Sequence, residues 1–405
     1  MLLMSLRIKI AKWLDEYVGR VLIVLVRGLR LRKRGANQQA SRARILVIKF
    51  WGMGSIILLE PALRSLRERF PHARIDFLTL AQNQDVFALL PHIDHVYVLE
   101  FGNDVRFIMT TFSVLARLRL VNYDLIFDAE FFANFSALLA RVAAPKTLVG
   151  FSRPLARKRE LLDLAVPFHD EEHATQNFLR LILAAPSTQE SGAGFSSLYK
   201  VSPRLRLAAP EHRRFVDTYV VINVNASPLA LERRWPRENF VQLARWLLRE
   251  YEIELALIGN AAEREYTQHV AGAIDAPDRV RNRAGALNLR ELAALMHDAS
   301  LVISNDSGPL HLAAALHRPV VGFYGPETPK RFGPLNDEQL IFYLGLPCSP
   351  CMSVHNAKTV NCTNHRRCML QLSVAMVVPR LRRFIDENGL LPKRVAQGQM
   401  IEVAD

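Results

Sequence analysis

The sequence predicts an α/β protein built from two doubly wound domains that face one another across a cleft. Apolar runs of strand length alternate with longer helical runs along most of the chain, the pattern of βα units in parallel sheets. The pattern occurs twice, and a Ser-, Gly- and Ala-rich stretch at Pro186–Ser202 separates the two series. In each series an apolar strand feeds a polar or Gly-rich turn and then a helix, the kind of junction where open parallel sheets bind ligands. The 405 residues are enough for about two or three domains with real cores. The expected division is a basic amphipathic arm at 1–44, a first domain at 45–212, a second at 213–385 and a tail at 386–405.

The arm carries much of an unusual charge. The chain has a net charge of +13, and seven basic residues with no acidic one lie between Arg27 and Arg44. Before them runs Val21–Val26, VLIVLV, flanked by Arg20 and Arg27. Six apolar residues cannot cross a bilayer, which takes roughly 20. Charges that follow the apolar run, with no small-residue cleavage site, do not make a cleaved signal peptide. An amphipathic segment lying on an anionic membrane surface fits the pattern. A solvated arm, or a helix packed on the protein's own surface, also fits it. One short arm without a nucleic-acid-binding module gives no ground for a nucleic-acid partner.

In the first domain Arg44–Phe50 (RILVIKF) reads as a buried parallel strand. It feeds the turn Trp51–Ser55 (WGMGS) and a helix at Ile56–Arg69 that contains Pro61. Ile75–Leu80, Val96–Leu99 and Tyr123–Asp128 (YDLIFD) read as further strands. The last ends in Ala129, Glu130, Phe131 and Phe132 before a helix over Ser136–Ala143, and Thr147–Phe151 is one more strand.

The second series opens with Tyr219–Asn225 (YVVINVN), a loop with Arg233, Arg234, Trp235 and Pro236, and a helix at Arg237–Glu250. Strand Glu254–Gly259 and helices Glu263–Ile274 and Leu289–His297 follow. Then comes LVISNDSGPLHLAAALHRPVV: a strand at Leu301–Ser304, a polar turn, a helix from about Gly308, and a strand at Pro319–Phe323. Asn305, Asp306, Ser307 and Gly308 stand where free helix N–H groups and the positive end of the helix dipole make an anion site. His311, one turn in, is placed to reach the same phosphate. Asn, Asp and Ser are also ordinary N-cap residues, so a plain capped junction remains the alternative. The basic segment Met376–Phe384 has a helical pattern that would let it cross back to the first domain.

ISNDSGPLHLAAAL, with AGALNLRELAALMHDASLV and RRWPRENFVQLARWL before it, resembles glycosyltransferase family 9, the ADP-heptose:lipopolysaccharide heptosyltransferase family. The resemblance covers about Ile45 to Met369. It implies a GT-B fold of two Rossmann-like domains, a nucleotide-sugar held mainly by the second, metal-independent transfer and inversion at the sugar's anomeric centre. Asp306, Ser307, Gly308 and His311 would then hold the donor diphosphate and nearby sugar hydroxyls. Arg233 would neutralise the leaving diphosphate, and Glu263 would bind the donor ribose. These roles suit the chemistry, because a departing nucleoside diphosphate gains charge that a fixed cation and helix-terminal N–H groups stabilise. Arg233 also reads as a surface arginine beside an N-cap, and Glu263 as a first-turn acid facing the helix dipole.

The family's lipopolysaccharide enzymes have Gly-Asp in the first Gly-rich turn, with the Asp as general base; here the pair is Gly54-Ser55. A serine is no useful base without a partner. DAEFFANFSALL resembles a subset of the family that has Ser at this turn and retains Asp-x-Glu-Phe-Phe. Glu130 is therefore the first candidate base, Asp128 the second and Glu60 the third, the first two expected on the strand edge that faces the cleft. A structural Asp capping the next helix is the competing reading.

The four cysteines are confined to Cys348, Cys351, Cys362 and Cys368, with His355 and His365 between them. No disulfide framework spans the chain, as expected in a reducing cytosol. The Cys-x2-Cys-x10-Cys-x5-Cys set suits structural zinc or iron, and four sulfurs would leave no position for substrate. Some protein-heptosylating relatives hold iron through four cysteines at other spacings. Free buried thiols are the alternative.

The expected function is transfer of a heptose or related sugar from an ADP-sugar to a lipopolysaccharide-type or other lipid-linked saccharide. The expected location is cytoplasmic, peripheral on the inner face of the cytoplasmic membrane. A protein hydroxyl as acceptor, a non-catalytic envelope subunit and a UDP-sugar epimerase of similar architecture are the alternatives. Ser55 speaks for the non-catalytic reading; the joint presence of His311, Arg233 and Glu263 speaks against it.

Overall fold

The computed structural model describes residues 15, 17–26, 42–131, 133–153, 157–185, 202–207, 218–226, 230–356, 360 and 362–394. The link expected over Pro186–Ser202 lies largely outside them, as do the basic residues from Arg27 to Arg34.

A helix over 17–26 (α1) precedes the first domain. That domain contains β1 (Arg44–Ile48), α2 (Met53–Arg69), β2 (Arg74–Leu80), β3 (His95–Leu99) and α3 (Asp104–Val121). β4 (Leu125–Asp128), α4 (Asn134–Val142), β5 (Thr147–Ser152), β6 (Leu164–Pro167) and α5 (Ala174–Leu183) complete it. Its six parallel strands run in the order β3-β2-β1-β4-β5-β6. Side chains alternate across β1. Ile45 and Val47 join α2 and α5 on one face, while Leu46 and Ile48 join Val114, Leu118 and Leu139 of α3 and α4 on the other.

The second domain contains β7 (Tyr219–Asn223), α6 (Arg237–Glu250), β8 (Glu254–Leu257), α7 (Arg264–Ile274), β9 (Val280–Asn282) and α8 (Leu289–Asp298). β10 (Leu301–Asn305), α9 (Gly308–Ala315), β11 (Val320–Tyr324), α10 (Pro329–Phe332), β12 (Gln339–Tyr343), α11 (Arg367–Leu370) and α12 (Val374–Glu387) follow. The strand order β12-β11-β10-β7-β8-β9 repeats the first sheet's order when the strands are counted from β7. Both sheets thus reverse winding beside their first strand, at β1/β4 and at β7/β10, where a crevice opens at the strand ends.

The domains share one apolar core. α2 and α5 of the first pack with Ala293, Met296, Leu310, Leu312 and Ala313 of α8 and α9 of the second. Polar contacts reinforce it: His173 Nε2 lies 2.9 Å from the Gly333 carbonyl, and Leu205 N donates to the Ala315 carbonyl at 3.1 Å. α12 does not cross to the first domain, contrary to the expectation for Met376–Phe384. Its apolar stripe Val377, Leu381 and Ile385 is buried in the second domain's outer core, with Phe240 and Leu247 of α6. The stripe repeats every four residues and needs an apolar neighbour, which α6 supplies.

Candidate active site

The β10–α9 junction is built as a polar knot. Asn305 accepts from the Trp235 amide at 2.9 Å and donates to the Asn225 carbonyl at 3.0 Å. Asn223 donates to Ser304 at 3.1 Å and to Ser307 at 2.9 Å. Ser307 donates to the Asn305 carbonyl at 3.1 Å, and its side chain does not cap α9. The plain N-cap reading is therefore not what the serine does. Asp306 is buried, and Arg233 Nη1 reaches its Oδ2 at 3.3 Å. A cation thus stands beside the first turn of α9, held by the loop that follows β7. Tyr324 lies beneath; burial keeps its hydroxyl protonated, with the Asp306 and Glu327 carboxylates adding to the effect and Arg233 opposing it.

The first domain brings a second helix start to the same place. Gly52, at φ 85°, turns the chain into α2, a conformation in which only glycine is unstrained. A Cβ on Gly54 would stand 2.6 Å from His311 Cδ2, and one on Gly308 would stand 2.7 Å from Met53 Cε. The starts of α2 and α9 therefore meet, each without an acidic residue in its first turn. Two positive dipole ends and Arg233 converge where the two crevices face, which suits a diphosphate. Asp306, Ser307, Gly308, His311 and Arg233 come together here.

The candidate bases are more enclosed than expected. Glu130 Oε1 accepts from the Phe50 and Trp51 amides at 2.6 and 2.9 Å, and its Oε2 pairs with Lys49 at 3.0 Å. It ties the first Gly-rich turn to the end of β4 and retains a small exposed surface. Asp128 has none. Its oxygens meet Lys158 at 2.7 Å, Ser136 at 3.0 Å and the Glu130 amide at 3.2 Å. Burial raises its pKa while Lys158 opposes the shift. Placed so, Asp128 offers no oxygen to a molecule in the cleft, unlike the edge position expected for it. Glu60 is also buried, accepting from the Arg204 amide at 2.8 Å and lying 3.2 Å from His92.

Glu263 follows β8, the strand beside β7. It forms a capping box with Asn260, through bonds of 2.9 and 3.1 Å, and burial raises its pKa. The four cysteines line one cavity together with Glu232, the neighbour of Arg233, and Arg366 and Arg367. Burial and the other thiols push Cys368 up to about 11 and raise Cys351. Among the described residues no three His, Cys, Asp or Glu side chains already stand around a common metal position. The donor set is right in kind for zinc or iron, and its arrangement is open.

Lys49, Lys158, Asn223 and Asn225 were not singled out from the sequence. Three left a trace there: Lys49 is a lone charge between the apolar run Ile45–Ile48 and Phe50, and YVVINVN carries two asparagines at its end. Only Lys158 lies in a stretch without pattern.

Residues 111–360, more than half of the chain, match the family model described as glycosyltransferase family 9 (heptosyltransferase). The chain is 22% identical to lipopolysaccharide heptosyltransferase 2 of Salmonella typhimurium over 86% of its own length and 100% of that protein. It is 24% identical to lipooligosaccharide heptosyltransferase 2 of Haemophilus ducreyi over 74% of its length and 88% of that protein. The structure of the Escherichia coli ADP-heptose lipopolysaccharide heptosyltransferase II superposes with a TM-score of 0.66 at 20% identity. That superposition covers 85% of this chain and 99% of the other. With the paired α/β domains and the facing helix starts, the match over Leu301–Val321 and the loop before α6 has a single origin: the chain belongs to glycosyltransferase family 9 (heptosyltransferase).

Proposed function

We propose that this chain moves a heptose or related sugar from an ADP-sugar to a lipopolysaccharide-type or other lipid-linked saccharide, on the inner face of the cytoplasmic membrane. The observation that carries the reading is the meeting of the α2 and α9 starts beside Arg233, a charge pattern made for a nucleoside diphosphate. The names of the relatives supply the sugar, the nucleotide and the acceptor class. Asp306, Ser307, Gly308 and His311 hold the diphosphate end of the donor and nearby sugar hydroxyls, and Glu263 its ribose. The acceptor oxygen attacks the anomeric carbon from the side opposite the diphosphate, so the configuration inverts. As the bond to the diphosphate breaks, charge gathers on its oxygens, and Arg233 with the helix-terminal amides stabilises it more than in the ground state.

Glu130 is our choice of general base, because its carboxylate faces the first Gly-rich turn and keeps some exposed surface. The acceptor hydroxyl must replace one of its present bonds to pass a proton to it. No metal takes part in the transfer. The cysteine set, if metallated, is a structural zinc or iron site bordering the Arg233 loop; metal analysis of the purified protein tests that, and a value near zero per chain rejects it. The basic arm supplies attraction to anionic lipid.

The experiment that tests the function is a thermal-shift panel of ADP, UDP, GDP and CDP on the protein and on Asp306→Ala. A ligand at 100 times its dissociation constant stabilises the folded state by about 2.7 kcal/mol. Stabilisation by ADP, lost in the variant, is the expected result. A preference for another nucleotide removes the ADP-sugar, and no response to any of them removes the donor site.

A further inference from the structure

Large apolar side chains left exposed are concentrated on two helices. Among the described residues the exposed ones are Tyr17, Val18, Val21, Leu22, Val24 and Leu25 of α1, and Val105, Ile108, Met109, Phe112 and Leu120 of α3, with Leu370 and Met376 elsewhere. On α1 the contact with the body is a narrow stripe. Ile23 is fully buried against Ala137, Leu138 and Leu161, and Gly19 lies against Asn134. The other sides of this helix are apolar and face outward, which a water-exposed helix does not sustain without a cover.

α3 has two apolar faces. Val114 and Leu118 point into the sheet, while Val105, Met109, Phe112 and Leu120 follow at helical spacing on the opposite side. Val105 is 66% exposed, Met109 65%, Phe112 70% and Leu120 78%. Among the described residues no packing explains this second stripe.

The two helices flank the same support. The Asp15 carboxylate accepts from the Asn134 and Phe135 amides, which fixes the start of α1 on the start of α4. Phe107 of α3 packs on Phe135 from the other side, with ring centroids 5.6 Å apart. α1, α3 and α4 thus form one outer layer, on the face of the first sheet away from α2 and the second domain. Its charges are mostly basic. α3 carries Arg106, paired with Glu100, and Arg117 and Arg119 against Asp104. α1 carries Arg20, the acids Asp15 and Glu16 precede it in the sequence, and the chain continues from α1 into the seven basic residues at Arg27–Arg44. An apolar surface bordered by arginines matches the interfacial layer of an anionic bilayer, where apolar side chains enter the acyl boundary and cations meet the headgroups. Among the described residues no helix is long and apolar enough to cross a membrane.

We propose that α1 and the outer stripe of α3 together form a membrane-docking surface that inserts apolar side chains into an anionic lipid leaflet. This deepens the membrane part of the function proposed above, which invokes only the basic arm. Insertion predicts binding that survives salt, since electrostatic attraction is screened within about 8 Å at physiological ionic strength and insertion is not.

The test is co-sedimentation of the full chain with vesicles of neutral phosphatidylcholine or of a phosphatidylcholine–phosphatidylglycerol mixture, in low and high salt. The variants are Met109→Gln/Phe112→Ser on α3 and Val21→Ser/Leu25→Ser on α1, all at exposed positions. Thermal melting with and without ADP confirms that each is folded and keeps its nucleotide response. The proposal expects anionic vesicles to bind the wild type, with a high-salt remainder that falls about tenfold in either variant. Wild-type affinity in the α3 variant overturns the docking surface while leaving arm-mediated attraction intact. No binding by the wild type overturns both. A wild-type dimer that dissociates in the α3 variant, without loss of vesicle binding, assigns the face to a second copy and overturns the proposal.

Discussion

Gly54 stands so close to His311 that a Cβ on the glycine would lie 2.6 Å from the ring's Cδ2. The glycine is inside α2, where an alanine would otherwise favour the helix by roughly 1 kcal/mol. Its use is the approach of the two helix starts rather than backbone freedom. Gly54→Ala must displace a buried ring and with it the donor side of the cleft. The variant should keep its melting temperature within a few degrees and lose about tenfold or more in kcat/KM, because small misplacements in a site are costly. Gly308→Ala meets only the flexible end of Met53 and should lose less. Equal activity in Gly54→Ala and the wild type would show that the close approach does not serve transfer.

Arg233 stands beside the α9 start, where Asp306 holds it. A group that stabilises charge formed only in the transition state affects kcat more than KM. Arg233→Ala should lower kcat about 10²- to 10³-fold, the usual range for removing one such group. Arg233→Lys should recover part of it, since the charge is kept while the planar fork is lost. A raised KM with unchanged kcat would instead make Arg233 a ground-state anchor.

Strands and inner helices were legible because they are apolar on a single plan. The pattern predicts a helix at Arg237–Glu250 and the structure has it at those residues, and a polar turn after an apolar run marks both strand-to-helix junctions. α3 has no legible helical pattern, because Phe107, Val114 and Leu118 lie on one side and Met109, Phe112 and Leu120 on the other, so no single stripe stands out. The site's chemistry was half legible. Asp306 and His311 are local to one motif, whereas the pairing of Glu130 with Lys49 joins residues that are far apart in the chain. Residue type and spacing cannot tell a cleft-facing carboxylate from one that a buried lysine has already claimed.

Glu130 and Lys49 form a pair with almost no exposure on either side, 6% and 1%. Removing one partner leaves an uncompensated buried charge, which costs about 3–5 kcal/mol. Glu130→Gln alone should therefore melt well below the wild type, and its lost activity would be ambiguous. Lys49→Met together with Glu130→Gln should recover most of the stability. A recovered fold without transfer supports Glu130 as the base. Transfer at near wild-type rate in the double variant would move the base elsewhere and leave Glu130 as the anchor of the Phe50–Trp51 turn.

His173, buried between the domains, makes the stability of the fold depend on pH. Its Nδ1 accepts from the Thr175 amide at 3.2 Å, so its Nε2 carries the proton and donates to the Gly333 carbonyl. Burial lowers its pKa from 6.5 to about 4. The unfolded chain takes up a proton near pH 6.5 while the folded one resists it, so this contribution is complete above pH 6.5 and is lost as pH falls towards 4. The loss over that window is about 3 kcal/mol, at roughly 1.4 kcal/mol per pH unit. His173→Gln keeps an amide donor for Gly333 and removes the titration. Denaturant unfolding at pH 7 and pH 4 should show the wild type losing about 3 kcal/mol more than the variant, since the carboxylates that titrate in this range are common to both. Protonation falls on Nδ1, so it breaks the bond from the Thr175 amide at the start of α5, while Nε2 keeps its donation to Gly333 across the domains.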